Sequence, residues 1–263
     1  MENKIETIER LVAWLKDYAV KNDRRSFVVG VSGGIDSALV STLCAMTGLQ
    51  THCVILPCHS RESGILLARR HIRWLGDKFG FDSVVYNHTI YLNETFNVFE
   101  GATLPYYGIN NLAYANVKSR LRMLTLYHIA TLKDGLVVGT GNKVEDFGIG
   151  FFTKYGDGGV DISPIADFTK TEVRELAKEL GIIEEIIKAV PTDGLWDDQR
   201  SDEQAIGATY EQLEWAMNYI EAHPSWENKM VAHTPEQLKV LKIYKTRHAV
   251  AQHKLNPIPT FKR

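Results

Sequence analysis

The run from Phe27 to Ser37, FVVGVSGGIDS, combines residue types that can bind a phosphate group and its metal ion. An apolar segment ends in two adjacent glycines, Gly33 and Gly34, whose backbone can turn freely and present its N–H groups to an anion. The helix that we expect to follow adds unpaired N–H groups and the positive end of its dipole. This run therefore predicts a phosphate-binding turn between a buried strand and a helix.

Three side chains add chemistry to this turn. Ser32 and Ser37 can donate hydroxyl hydrogen bonds to phosphate oxygens. Asp36 would repel an anion unless a cation accompanies it, so we interpret Asp36 as a ligand of Mg²⁺, directly or through water. The run lacks the Gly-Lys-Ser/Thr of the Walker loop, so cleavage of a terminal phosphate by the P-loop route is not indicated. The alternative is a plain Gly-Gly turn with an Asp/Ser helix cap.

A second run rich in chemistry extends from Thr140 to Asp161, TGNKVEDFGIGFFTKYGDGGVD, and is too long for an ordinary connection. It mixes acids and cations around several glycines, a combination that could bind phosphate and metal together. Glu145 is the natural second Mg²⁺ ligand opposite Asp36, because one carboxylate rarely suffices beside phosphate oxygens and waters. Lys154 can neutralise phosphate or carboxylate charge. For each of these charges the alternative is a solvated loop position.

Strands and helices that position these runs follow from apolar periodicity and breaker residues. We expect strands at Phe27–Gly30, Thr51–Leu56, Ser83–Tyr86 and Gly135–Gly139, and helices at Ile5–Leu15, Glu62–Phe79, Leu112–Leu132, Lys170–Leu180, Tyr210–Ala222 and Pro235–His248, with a loop at Pro191–Ser201. Alternation of strands with helices of this length predicts an α/β fold with a doubly wound parallel sheet and sites at the carboxyl ends of its strands. The first helix would pack on the sheet or on a partner.

Composition limits the possible functions. A chain of 263 residues with 44% apolar residues suits one large domain, residues 1–263. The formal net charge of −2 gives no electrostatic reason for nucleic-acid binding. We see no segment long and apolar enough for a membrane span, and expect a cytoplasmic protein. Cys44, Cys53 and Cys58 are too few and too irregularly spaced for a disulfide framework, so we expect buried, reduced thiols.

The two chemical runs also resemble those of a known family. SGGIDS resembles the signature of the PP-loop ATP pyrophosphatases, which split ATP between its α and β phosphates and adenylate an acceptor. GTGNKVEDFGIGFFTKYGDGGVD followed by SPIADFTKTEV resembles the ammonia-dependent NAD synthetases within that superfamily, as do NVKSRLRM, PTDGL, DEQAIGATYEQLE and QHKLNPIP. The likeness spans nearly the whole chain. It implies the adenine nucleotide alpha hydrolase-like fold with extra C-terminal helices.

The resemblance implies a role for each matching residue. It assigns ATP to Gly30, Val31, Ser32, Gly33, Gly34, Ile35, Asp36, Ser37, Thr140, Lys170 and Thr192, Mg²⁺ to Asp36 and Glu145, and deamido-NAD to Arg120, Lys154, Asp161, His253 and Lys254. From the residues alone, Arg120 could equally be a helix-surface ion-pair partner, and His253 and Lys254 a basic helix end. Thr192 could be a turn or cap residue. Family members often carry acids after Pro57, where this chain is basic; Arg61 could reach the nucleotide or lie on a solvated helix face.

The implied reaction has two steps. The nicotinate carboxylate of deamido-NAD attacks the α-phosphate of ATP and releases pyrophosphate, and ammonia then displaces AMP to give NAD. Asp157 is our candidate for binding or deprotonating ammonium. We expect a homodimer, and no glutaminase domain, because the first predicted helix and strand already belong to the synthetase. The alternatives are another PP-loop adenylating enzyme, or a nucleotide-binding sensor without turnover.

Overall fold

A parallel sheet of four strands forms the centre of the computed structural model, which describes residues 3–189, 202–223 and 233–262. The strands are β1 Ser26–Gly30, β2 Gln50–Ile55, β3 Val85–Thr89 and β4 Gly135–Val137, in the order β3-β2-β1-β4. The chain moves outward from β1 to β3 and then returns to the other side of β1 for β4. The strand order therefore reverses between β1 and β4, which is where doubly wound sheets bind ligands.

Helices cover both faces of this sheet. Their bounds are α1 Lys4–Lys21, α2 Ile35–Met46, α3 Glu62–Phe79, α4 Asn93–Tyr107, α5 Asn111–Leu132, α6 Lys170–Glu179, α7 Glu184–Ile187, α8 Asp202–Ile206, α9 Tyr210–Ala222 and α10 Pro235–Leu255, with a π-helix at Lys143–Gly148. Within the described parts of the chain, no helix combines the length and the apolar composition needed to cross a bilayer. The predicted α/β class with a parallel sheet is confirmed.

Alternating residues of β1 divide the core between the two faces. Phe27 and Val29 pack in one cluster with residues of α1, α2 and α6. Val28 packs on the opposite face with Val54, Val137 and residues of α5. A strand that is buried on both faces needs apolar side chains on both, and Phe27, Val28 and Val29 form such a continuous apolar run in β1. The apolar stripe of α1 belongs to the first cluster, in which α1 packs against α2 and α6 of its own chain.

The glycine-rich run lies between the sheet and the C-terminal helices. Val144 and Ile149, at the π-helix, pack in one apolar cluster with Met217 of α9 and Leu241 of α10. At its far end the chain returns beside β4, where Val138 and Ile162 form an isolated parallel bridge. The run is therefore anchored on two sides.

Several elements differ from the sequence prediction. The third strand starts two residues later, at Val85, and α10 continues to Leu255. Helix α4 was not predicted, because Gly101 and Pro105 interrupt its sequence and its apolar residues do not follow one face. The π-helix occupies what was predicted to be an irregular loop. The predicted loop at Pro191–Ser201 lies outside the described residues.

Candidate active site

The turn after β1 is shaped for close approach of its backbone to a ligand. Gly33 has φ +89°, and a Cβ there would lie 2.5 Å from the carbonyl oxygen of Gly64. The Ser32 hydroxyl accepts from the Gly34 N–H at 3.2 Å and lies 3.2 Å from the Ser37 hydroxyl. The Ser37 hydroxyl donates to the Gly34 carbonyl at 2.9 Å. These bonds fix both hydroxyl groups at the start of α2.

Helix α2 begins at Ile35 directly after this turn. Its N-cap residue, Gly34, has no side chain that could cover the free N–H groups of the first helical turn. Such a helix start favours an anion, both through its N–H groups and through the positive end of the helix dipole. The geometry therefore agrees with the phosphate-binding turn predicted from FVVGVSGGIDS.

A buried lysine joins the two carboxylates that were predicted to bind metal. The Lys170 Nζ lies 2.6 Å from Asp36 Oδ2 and 2.9 Å from Glu145 Oε1. The Asn142 side-chain amide donates to the same two groups, at 3.3 Å to Asp36 Oδ1 and 2.8 Å to Glu145 Oε2. Asn142 also accepts from the Val144 and Glu145 N–H groups, and so caps the π-helix that carries Glu145. This arrangement brings together residues from three distant parts of the sequence.

Burial and charge set the protonation of this cluster. The side chains of Lys170, Asp36 and Glu145 are 3%, 16% and 14% exposed. Burial alone would lower the pKa of Lys170, but the charges of Asp36 and Glu145 outweigh it and raise that pKa above its ordinary value. Burial raises the pKa of Asp36, and Lys170 opposes this shift. One ammonium therefore faces two carboxyl groups, which leaves the cluster able to accept a further positive charge.

The donor set of the cluster is compatible with Mg²⁺. Carboxylate oxygens are its usual protein ligands, and nucleotide sites commonly supply one or two of them while phosphates and waters supply the rest. Within the described ranges, no group of three or more His, Cys, Asp or Glu residues is arranged to hold a metal ion. A metal held by Asp36 and Glu145 would thus depend on a bound phosphate to complete its coordination.

The glycine turn and the cluster of Asp36, Glu145 and Lys170 line one cavity of about 530 Å³, a size suited to a small-molecule ligand. The predicted residues on its wall are the whole run Gly30–Ser37, Thr140, Glu145, Asp157 and Lys170. The cavity also borders the ends of β2 and β4, through residues 54–57 and 138–141. It therefore lies at the carboxyl ends of the strands, where the strand order reverses.

Arg122 is a cavity residue to which the sequence analysis gave no role. Its guanidinium donates to the Leu56 carbonyl and to the Ser60 hydroxyl, both at 3.1 Å. It thus holds the loop between β2 and α3, which carries Arg61 to the cavity wall. The run NVKSRLRM contains both Arg120 and Arg122. Only the fold shows that the Arg120 side chain reaches Lys154, whereas the Arg122 side chain reaches the loop after β2.

Asp157 is held in place on the cavity wall. Its Oδ1 accepts from the Ser119 hydroxyl at 2.7 Å and from the Thr153 N–H at 2.9 Å. Asp146 lines the same cavity, and burial, together with the charges of Asp157 and Glu145, raises its pKa well above the ordinary value. In the sequence, Asp146 is only one of several charges in the glycine-rich run.

The residues expected to bind deamido-NAD lie outside the cavity lining, and four of them are grouped together. The Arg120 guanidinium donates to the Lys154 carbonyl at 3.3 and 3.4 Å, and Lys154 Nζ donates to the His253 carbonyl at 2.6 Å. Lys254 Nζ donates to the carbonyls of Gly150 and Phe152. The end of α10 is thus joined to the glycine-rich run.

Asp161 is separate from this group. Its two carboxylate oxygens accept from the Tyr127 hydroxyl at 3.0 Å and from the Val137 N–H at 2.8 Å, so Asp161 links α5 to β4. Thr192, the remaining predicted ATP residue, lies outside the described residues.

A parallel doubly wound sheet, a glycine turn after β1 and a carboxylate–lysine cluster opposite that turn define an α/β nucleotide-binding enzyme. The family model described as NAD synthase matches residues 7–258. The chain belongs to the NAD synthase family, a family of ligases that use ATP as co-substrate. The family and the ligase class inferred from the sequence motifs are confirmed.

Individual relatives agree with this assignment. The chain is 39% identical over 210 residues to an NH(3)-dependent NAD(+) synthetase of Carboxydothermus hydrogenoformans, covering 80% of this chain and 83% of the relative. It is 40% identical over 210 residues to that of Alkaliphilus metalliredigens, covering 79% and 83%. Among solved structures, the NMN synthetase of Francisella tularensis has a TM-score of 0.86 at 28% identity over 100% of both chains. The NAD+ synthetase of Burkholderia pseudomallei has a TM-score of 0.70 at 26% identity, covering 95% and 91%.

Proposed function

We propose that this chain converts deamido-NAD, ATP and ammonia into NAD, AMP and pyrophosphate. The observation that carries this proposal is the cavity at the reversal of strand order, in which the phosphate-binding turn of Ser32–Ser37 faces the cluster of Asp36, Glu145 and Lys170. The turn supplies N–H and hydroxyl donors for phosphate, and the cluster supplies charge. Together they suit a reaction in which pyrophosphate is the leaving group.

In the first step, the nicotinate carboxylate attacks the α-phosphorus of ATP and the bond to the β-phosphate oxygen breaks. The backbone N–H groups of the turn and the Ser37 hydroxyl would hold the phosphates, and Lys170 would offset charge on the departing pyrophosphate. Mg²⁺, held by Asp36 and Glu145, would neutralise phosphate charge when bound.

In the second step, ammonia attacks the acyl carbon and AMP leaves with the former carboxylate oxygen. Ammonium must lose a proton before it can attack. We assign Asp157 to this position, because it lines the cavity and its Oδ1 is fixed by the Ser119 hydroxyl and the Thr153 N–H. A fixed carboxylate near the acyl carbon can bind ammonium and accept its proton.

Deamido-NAD would contact the group outside the cavity. Arg120, Lys154, His253 and Lys254 form a basic group next to the glycine-rich run, which suits a substrate that carries two phosphates. Asp161 would accept from ribose hydroxyls where α5 meets β4. Its present hydrogen bonds to Tyr127 and to the backbone of β4 fix the orientation of its carboxylate.

We also propose a homodimer formed through α4 and α5. Large apolar and aromatic side chains are exposed here, namely Val98, Phe99, Leu104, Tyr106, Tyr107, Ile109, Leu112 and Leu124. Many exposed apolar side chains on neighbouring helices are typical of a subunit interface. Arg120 and Asp161 lie on or beside α5, so the substrate would bind near the subunit boundary. The three buried free cysteines suit a reducing compartment, so we place the enzyme in the cytoplasm.

A second candidate function is amidation of the mononucleotide. It is favoured by the similarity to an NMN synthetase over the full length of both chains. The corresponding acid, nicotinate mononucleotide, presents the same carboxylate to ATP and to the cavity. The two candidates differ only in the half of the substrate that lies away from the reaction.

Acceptor-dependent formation of AMP tests the proposal and separates these candidates. Purified protein is incubated with ATP, Mg²⁺ and ammonium chloride, and with deamido-NAD or nicotinate mononucleotide as acceptor. We expect equal amounts of AMP and NAD with deamido-NAD, little turnover with glutamine as the only nitrogen source, and loss of turnover in Asp36→Ala. Higher kcat/KM with the mononucleotide would support the second candidate. No AMP with either acceptor would reject both.

A further inference from the structure

The loop between β2 and α3, residues 56–61, forms part of the cavity wall and has no regular secondary structure. The residues of this loop that line the cavity are Leu56, Pro57, Ser60 and Arg61. His59 has φ +51°, a left-handed conformation that a residue other than glycine keeps only where its surroundings impose it. Contacts with other elements must therefore hold the shape of this loop.

Helix α4 and the residue before it hold the middle of the loop. The His59 N–H donates to Asn93 Oδ1 at 2.8 Å, and His59 Nε2 lies 2.8 Å from Asn97 Oδ1. The Pro57 carbonyl accepts from the Leu92 N–H at 2.7 Å. These contacts fix the backbone at Pro57 and His59.

Arg122 of α5 holds the two ends of the same loop. Its Nε donates to the Leu56 carbonyl and its Nη2 to the Ser60 hydroxyl, each at 3.1 Å. The Ser60 hydroxyl in turn accepts from the Cys58 N–H at 3.1 Å. A guanidinium is planar and its donors have fixed directions, so its two acceptors are kept at a fixed separation. Helix α5 itself packs on the sheet, which fixes the position of the arginine.

The loop leads into the part of α3 that packs on the phosphate-binding turn. Arg61, its last residue, is the N-cap of α3. A Cβ at Gly33 would lie 2.5 Å from the carbonyl oxygen of Gly64, and one at Gly64 would lie 3.4 Å from that of Ser32. Because the two segments are in such close contact, a shift of the loop displaces the start of α3 against the turn.

We propose that Arg122 is a positioning residue that holds this wall in the conformation that binds ATP. Its two hydrogen bonds set the distance between Leu56 and Ser60, and through α3 the loop acts on the phosphate-binding turn. The inference rests on the proposed ATP site and adds a residue that acts on it through the loop. Because the role concerns nucleotide binding rather than the chemical steps, it predicts a change in KM for ATP and not in kcat.

Arg122→Met tests the role, because it removes both donors and keeps an unbranched side chain. A misplacement of about 1 Å can cost about 100-fold, so we expect KM for ATP to rise about tenfold while kcat changes by less than about twofold. Hydrogen exchange of the ligand-free protein, followed by mass spectrometry, should be faster in peptides that cover residues 56–61. Arg122→Lys keeps the positive charge but not the planar fork, so it should show the same rise in KM.

Arg247→Met is the matched control. Arg247 is also partly buried, and it donates from a helix to the carbonyls of Ala205 and Ile206 at 2.9 and 3.3 Å. Neither Arg247 nor these two residues belong to the cavity wall in the described part of the chain. This variant should therefore keep the KM for ATP and the exchange of residues 56–61 unchanged.

A higher KM with faster exchange in Arg122→Met, and neither in Arg247→Met, supports the proposal. An unchanged KM in Arg122→Met overturns it, as does an equal rise in both variants, which would indicate general packing. A higher KM without faster exchange, or a normal KM in Arg122→Lys, also overturns it, because the charge of Arg122 would then act on ATP directly.

Calorimetry with a non-hydrolysable ATP analogue separates this inference from the proposed function. If the unsubstituted protein binds the analogue but forms no AMP with either acceptor, the proposed function is wrong, and about tenfold weaker binding in Arg122→Met still supports the positioning role. Equal binding by Arg122→Met and the unsubstituted protein overturns that role. If the unsubstituted protein does not bind the analogue, the ATP site and the role of Arg122 are both wrong.

Discussion

Lys170→Met removes the ammonium that joins Asp36 to Glu145 and keeps a side chain of similar length. Lys170 is 3% exposed, and its Nζ contacts both carboxylates within hydrogen-bond distance. In this variant the buried carboxyl groups of Asp36 and Glu145 lose the ammonium that offsets their charge. Removing one partner of a buried ion pair costs about 3–5 kcal/mol. For a domain of this size, that corresponds to a fall in the thermal midpoint of roughly 6–20 °C.

Thermal unfolding in a chelator-containing buffer, followed by circular dichroism, measures this loss. Lys143→Met is the control, because Lys143 pairs at 3.2 Å with Asp167, a side chain that is 90% exposed. An exposed pair contributes about 1 kcal/mol or less, so its removal should change the midpoint little. Adding Mg²⁺ should restore part of the midpoint of Lys170→Met, since the metal replaces the missing charge. A loss no larger than that of Lys143→Met would refute the reasoning.

Three further predictions concern pH, the phosphate turn and ammonia. Burial lowers the pKa of His71 to about 4, so the unfolded chain, with a histidine pKa near 6.5, takes up the proton first as pH falls. His71 should therefore contribute a fall in stability between pH 6.5 and 4, of about 2 kcal/mol at pH 5, and His71→Gln should make that part of a denaturation profile less steep. Gly33→Ala should abolish ATP binding, measured by calorimetry, because it strains a backbone at φ +89° and places a Cβ against α3. Gly48→Ala is the control: Gly48 also has a positive φ but faces open space, so this variant should bind ATP normally. Asp157→Asn should lower turnover at subsaturating ammonium while ATP affinity is retained; unchanged ammonium dependence would contradict the role of Asp157.

Local chemistry was sufficient to predict the parts of the site that follow strand ends. FVVGVSGGIDS predicts both the strand and the turn, because few other local structures require glycines, serines and an aspartate together at the end of an apolar run. Glu145 was predicted as the partner of Asp36 from the ligand needs of Mg²⁺, and the fold brings both carboxylates to one ammonium. The role of each residue in catalysis stays a prediction.

Other parts of the site depend on the three-dimensional structure. Asn142 reaches Glu145 locally as the cap of the π-helix, but its contact with Asp36 exists only in the folded chain. Tyr210 has no sequence signal of its own, and the centre of its ring lies 4.9 Å from Lys170 Nζ only because α9 packs beside the π-helix. The sequence of the π-helix has no apolar periodicity that distinguishes it from a loop, since its apolar residues contact the C-terminal helices rather than the sheet. Helix α4 was missed because Gly101 and Pro105 interrupt its sequence, and because most of its large apolar residues are exposed and form no single buried face.

Isotope transfer tests the central claim of adenylation followed by amidation most directly. Deamido-NAD labelled with ¹⁸O in the nicotinate carboxylate is incubated with ATP, Mg²⁺ and ¹⁵N-ammonium, and the products are examined by mass spectrometry. The account predicts ¹⁵N in the amide of NAD and one ¹⁸O atom in each AMP, with none in pyrophosphate. AMP without ¹⁸O, or label in pyrophosphate or inorganic phosphate, would contradict it.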